Sequence, residues 1–154
     1  MVLSAGTAKK EIAPQTRNFP MKDKRTIKEI PSENQGGDCF KVAAETVMKN
    51  PSLKLVHAIV PGQGPLKGVK YTHAFALDEK RDIVIDNTQK NPSLRELPAR
   101  LYWHLGNIET YREYTSNEMY KMLIKYENWG PWDEAFDDVL EEEKEMARHS
   151  RMRR

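Results

Sequence analysis

The sequence predicts an α+β fold in which a helix bearing the one cysteine packs on a small antiparallel sheet, with further C-terminal helices. Three observations predict it. Phe40, Ala43, Ala44, Val47 and Met48 fall at i, i+3, i+4, i+7 and i+8, which is one apolar face of a helix. KLVHAIV at 54–60 alternates as a half-buried strand, and VKYTHAFAL and DIVIDNT follow as two more strands joined by a polar turn. Beyond Pro92 the pattern turns helical, with Leu94, Leu97, Leu101 and Leu105 at helical spacing.

In chain order, residues 1–33 are rich in Lys, Pro, Thr and Ser and poor in periodic apolar residues, which predicts a flexible N-terminal arm. Residues 34–154 read as a single domain. Asp38 is the expected N-cap of the first helix. The first strand ends at Pro61-Gly62-Gln63-Gly64-Pro65, which has neither the lysine and serine pattern of a P-loop nor the strand-to-helix setting of a dinucleotide fingerprint, and so reads as a connection. Thr115-x-x-Glu118 is a capping box that opens a second C-terminal helix. Gly130-Pro131 interrupts before a last helix, whose acidic start (Asp133, Glu134, Asp137, Asp138) and basic end (Arg148) suit the helix dipole. The aromatic residues from Trp103 to Trp132 are expected in the core, with His57 and His104 in structural roles.

Composition narrows the function. A chain of 154 residues can bury a sizeable single core. Its 25 basic and 23 acidic side chains give a formal charge of +2, too balanced for a nucleic-acid or membrane-surface binder. One cysteine forms no internal disulfide, and the N-terminus lacks the apolar run of a signal peptide, so a soluble, cytoplasmic protein is expected. No cluster has metal-ligand spacing and no cofactor motif occurs, so neither a metal nor a cofactor is expected.

The lone thiol then defines the chemical question. Cys39 falls in the first turn of its helix, where unpaired backbone N–H groups and the positive end of the dipole favour a thiolate and can receive an oxyanion. As a small core residue it would need none of this, because free cysteines are among the most buried side chains. The hairpin bears on the choice. With a four-residue turn over Asp78 to Arg81, Leu77 lies opposite Asp82, Phe75 opposite Val84 and His73 opposite Asp86. Opposed residues share a face, with Cβ atoms about 4.5–5.5 Å apart. A five-residue turn sets Asn87 opposite His73 instead. A cysteine at a helix start, a histidine on a following strand and an acid on the next are the parts of a thiol hydrolase.

GDCF, THAFAL and IVIDNT resemble the Cys, His-Ala and Asp motifs of transglutaminase-like and papain-like cysteine hydrolases, over about residues 35–90. The wider pattern, with LVHAIVPGQGP, YWHLGNI and NWGPWD, is also similar to small phage and bacterial proteins without an assigned activity. The first resemblance implies Cys39 as nucleophile, His73 as general base, Asp86 as the orienting acid and Gln35 as an oxyanion partner, with a protein or peptide substrate. Two features depart from it. Asp38 opposes a thiolate by like charge unless capping holds its carboxylate away, and the interval from Cys39 to His73 is short for a conventional cleft. The function expected is a cysteine hydrolase or acyl transferase acting on an amide, isopeptide or ester bond. Its alternatives are an inactive binding module of the same fold, such as a phage protein engaging a host partner, and an adaptor whose tails carry its role. Catalysis requires the sulfur and the ring to converge; separation by the sheet would exclude it.

Overall fold

Residues 38–62 and 68–152 are described by the computed structural model of the protein; the expected N-terminal arm and Gln35 lie outside the described residues. In chain order they form α1 (Cys39–Lys49), β1 (Lys54–Pro61), β2 (Lys70–Asp78), β3 (Ile83–Ile85), β4 (Glu96–Pro98), α2 (Ala99–Gly106), β5 (Thr110–Tyr114), α3 (Ser116–Tyr126) and α4 (Asp137–Met152). The five strands make one sheet in the order β4-β3-β2-β1-β5, and every neighbouring pair is antiparallel. The α+β architecture, with the cysteine-bearing helix on an antiparallel sheet and further helices after it, is the one the periodicities predict.

Both faces of the sheet are covered. On one, Leu55, Ala74, Ala76 and Tyr114 pack against Phe40, Ala44 and Val47 of α1 and Met119 and Leu123 of α3. On the other, Val56, Ala58, Phe75, Leu77, Val84 and Tyr111 pack against Ala99 and Trp103 of α2. Fully burying one of the larger side chains contributes about 1.5–3 kcal/mol. The small Ala74 and Ala76 let the helix approach closely.

The hairpin register is displaced from the expected one. Leu77 pairs with Val84 and Ala76 with Ile85, so the turn is Glu79–Asp82 and not Asp78–Arg81. Asp78 fastens the observed turn. Its carboxylate accepts from the Arg81 N–H at 3.2 Å and the Arg81 Nε at 2.8 Å, and the turn closes on Asp82 in the left-handed region, φ 58°. Two residues of displacement preserve facing, so every side chain stays on its expected side. β3 is also shorter than expected. The Asp86 N–H continues the pairing toward β4 by donating to the Arg95 carbonyl, 2.8 Å away, while the Asp86 carboxylate accepts the Thr88 N–H in an Asx turn.

Helical spacing misleads after Pro92. Pro92–Leu94 is a 3-10 turn, Leu97 belongs to edge strand β4, and Leu101 and Leu105 are exposed on α2, which buries Ala99 and Trp103 instead. β5 shows no alternation because both of its faces are covered: Tyr111 to Tyr114 are all buried. The capping box forms as expected, with Thr115 Oγ1 accepting from the Glu118 N–H at 3.2 Å and Glu118 accepting from the Thr115 N–H at 2.8 Å.

His57 lies wholly buried on the α1 face of β1, among the rings of Phe40, Tyr114, Trp132 and Phe136. Gly130, at φ 110°, closes the cage, and a Cβ there would lie 2.5 Å from His57 Cε1. Gly130→Ala should therefore destabilise the protein by about 1–3 kcal/mol through overpacking and backbone strain. A lower denaturation midpoint at an unchanged slope is the expected reading.

Candidate active site

Asp38 occupies the N-cap position of α1, and its carbonyl accepts the Val42 N–H at 2.8 Å, but its side chain makes no capping bond. The expectation that capping engages the Asp38 carboxylate is thus corrected: that side chain is exposed at the rim of a groove. Cys39 follows in the first turn and is 6% exposed. Asn87 ties the helix to the segment after β3, since its Nδ2 donates to Thr46 Oγ1 at 3.0 Å and Thr46 Oγ1 donates to the Val42 carbonyl at 2.8 Å.

His73 and Asp86 meet, although not as a directly opposed pair. Extending the observed register places Asp86 beside Phe75, so His73 is its diagonal neighbour on the same face, within reach of a long side chain. His73 Nε2 lies 3.0 Å from Asp86 Oδ2 and 3.0 Å from the Tyr102 hydroxyl. The hydroxyl donates to the same Oδ2 at 2.7 Å. Having given its one hydrogen to Asp86, the phenol can only accept from the ring. Both neighbours of Nε2 are then acceptors, which fixes the proton on that nitrogen.

The ring also interacts with the Cys39 side chain, which lines the same groove. With Nε2 committed, Nδ1 is the atom left to exchange a proton with the sulfur. Strand alternation directs His73 to the α2 face while α1 packs on the other, yet the sheet does not separate them. β3 ends at Ile85, so among the described residues no strand borders β2 from Lys70 to Phe75 on that side. The first turn of α1 reaches this open edge. A groove of about 540 Å³ there is lined by Asp38, Cys39, Lys70, Thr72, His73 and Glu143. Glu143 of α4 occupies part of the edge, accepting from both the backbone N–H and the hydroxyl of Thr72.

Electrostatics follow this geometry. Burial opposes a charged His73, but the Asp86 hydrogen bond and then the contact with Cys39 outweigh it and raise the ring to about 9 from an ordinary 6.5. Burial likewise opposes ionised Asp86, which is 1% exposed; the His73 imidazolium and the hydrogen bonds from Thr88 and Tyr102 hold its carboxyl well below the usual range. Gln89 Nε2 adds a donor to Oδ2 at 3.2 Å, and the Thr88 hydroxyl donates to Oδ1 at 2.5 Å. Burial and the Asp86 charge push the Tyr102 hydroxyl up, so it remains a neutral donor.

Three of the four candidate residues, Cys39, His73 and Asp86, are thus brought together; Gln35 lies outside the described residues. Tyr102, Thr88 and Gln89 were missed. Thr88 was accessible to sequence reasoning, because Asp-x-Thr after a strand favours an Asx turn. Tyr102 carried no such signal, since only the return of α2 across the sheet brings it to Asp86. Among the described residues no group of three or more His, Cys, Asp or Glu could hold a metal ion, and no helix is long and apolar enough to cross a membrane.

The arrangement is a thiol, an imidazole and a buried carboxylate in series at the open edge of a sheet. Comparison of the chain with protein-family models, curated proteins and solved structures gives no match.

Proposed function

We propose that the protein is a cysteine hydrolase or acyl transferase acting on an amide, isopeptide or ester bond of a protein or peptide. The observation that carries this reading is the His73 ring, which bridges the Cys39 thiol and the buried Asp86 with its Nε2 proton held by two acceptors. The Cys39 sulfur attacks the carbonyl carbon, and the first-turn N–H groups of α1 receive the developing oxyanion. His73 gives its proton to the departing nitrogen or oxygen as the bond to carbon breaks. Water or an amine then attacks the thioester, its proton passes to His73, and the sulfur leaves. Asp86 keeps the ring oriented and offsets its charge throughout.

Burial of the thiol is the observation favouring a second reading, a binding module that does no chemistry. Incubation with p-nitrophenyl acetate followed by intact-protein and peptide mass spectrometry separates the two. An acetyl adduct on Cys39 is expected, lost in Cys39→Ala and strongly slowed in His73→Ala. A wild-type protein that releases no p-nitrophenol above the solvent rate would favour binding alone.

A further inference from the structure

A second pocket, about 370 Å³, adjoins the groove at His73 and does not include the cysteine. Its walls are apolar: Val60 and Ile108 lie at the sheet side, and Leu94, Leu97 and Leu105 form the rim. Leu94 is 43% and Leu105 56% exposed. Isolated surface leucines are ordinary, but these converge on one cavity whose polar wall includes His73 and Gln89. Tyr71 and His73 line both this cavity and the groove that holds Cys39. Cys39 lines only the first.

That partition assigns the two cavities to the two sides of a scissile bond. The acyl part of a substrate becomes bonded to sulfur, so it must lie in the groove that contains Cys39. The departing amine must face the group that protonates it, and the imidazole is the only reacting group that lines the second cavity. We infer that this pocket receives the leaving-group side of the bond and selects a bulky apolar residue there, such as leucine. The inference rests on the acyl-transfer reading and adds a substrate preference to it. The first groove also carries the charged side chains Asp38, Lys70 and Glu143 in its lining.

Because aminolysis of the thioester is the reverse of acylation by the corresponding amide, an amine that attacks the thioester must occupy the leaving-group site. Acetyl-Cys39 formed from p-nitrophenyl acetate can therefore be partitioned between water and added leucinamide or glycinamide. In the productive step the amine nitrogen bonds to the acetyl carbon, the carbon–sulfur bond breaks, and the amine proton passes through His73. N-acetyl-leucinamide should form about ten-fold or more faster than N-acetyl-glycinamide, as expected for an isobutyl group entering an apolar pocket. Leu105→Asp, at an exposed rim position, should reduce that ratio at least several-fold.

Direct binding gives a readout that needs no chemistry. In full-length Cys39→Ala protein, leucinamide should shift the NMR methyl signals of Leu94, Leu97, Leu105 and Ile108 saturably, with glycinamide about ten-fold weaker. Equal partitioning of the two amines from a genuine acetyl-Cys39, or leucinamide shifts confined to other residues, would overturn the pocket assignment. Failure to form acetyl-Cys39 at all would instead overturn the acyl-transfer reading, and the leaving-group role with it.

Discussion

His73→Ala should lower the turnover of any amide or ester the protein accepts by about 10²–10⁴-fold, the usual contribution of a positioned general acid and base. The same substitution should slow iodoacetamide alkylation of Cys39 at pH 7, because it removes the cation beside the sulfur. The sign follows from the ring's raised pKa. Below about 9 His73 carries its proton, which sets a positive charge beside the Cys39 side chain throughout the neutral range. The difference in alkylation rate between wild type and His73→Ala should thus hold through neutrality and change as the ring deprotonates near pH 9. Stability carries the matching signature: the contribution of His73 is complete below its unfolded pKa of 6.5 and is lost as pH rises through about 9. Identical alkylation profiles for wild type and His73→Ala would make Cys39 an ordinary buried thiol.

Asp86 ties this chemistry to the fold. A carboxylate that accepts from His73, Tyr102, Thr88 and Gln89 is the point on which β2, α2 and the loop after β3 converge. Removing it takes the anion from the half-buried His73 ring and leaves the donors of Tyr102, Thr88 and Gln89 without their acceptor, each at a cost of about 1–3 kcal/mol where buried. A loss of activity in Asp86→Ala would therefore mix catalysis with stability. His73→Ala is the cleaner probe, because it removes the ring while leaving Asp86 three neutral donors.

The residues of the site were legible where local chemistry determined them. Asp38 before an apolar stripe of period 3.6 places the start of α1 at Cys39, and period-two alternation assigns His73, Phe75 and Leu77 to one face. The His73–Asp86 contact survives a register error because facing has period two: a slip of two residues converts a direct pair into a diagonal one without moving either side chain through the sheet. Asp78, which would open the expected turn, is instead the last residue of β2 and binds Arg81 from there. β4 and β5 were illegible for different reasons. β4 is three residues long, and β5 is buried on both faces, where the alternating signal vanishes. The leucine spacing from Leu94 to Leu105 reads as a helix stripe, yet Leu94, Leu97 and Leu105 come from three separate elements that surround one pocket. Their common property is position around His73, which only the return of the chain across the sheet creates.

His57 makes the protein sensitive to acid. Neither ring nitrogen has a hydrogen-bond partner among the described residues, and four aromatic rings surround it, so burial alone lowers its pKa from 6.5 to about 3. The unfolded chain binds a proton at this position below pH 6.5, while the folded protein resists until about pH 3. Stability is therefore lost as pH falls through that window, by roughly 4–5 kcal/mol at about 1.4 kcal/mol per unit. Such a loss is a large fraction of the stability of a chain this size. His57→Leu, close in volume and unable to titrate, should keep the neutral-pH fold and remove most of this acid limb. It should also relieve the cost of two unpaired buried nitrogens, so its stability at pH 7 should equal or exceed that of wild type. Urea unfolding from pH 7 to pH 3.5 isolates the effect as the difference between the two proteins, because the contributions of Asp86 and Glu143 are common to both. If the two stability curves stay parallel across the window, the folded protein admits a charged ring or water at His57, and the cage formed by Phe40, Tyr114, Trp132, Phe136 and Gly130 is open in solution.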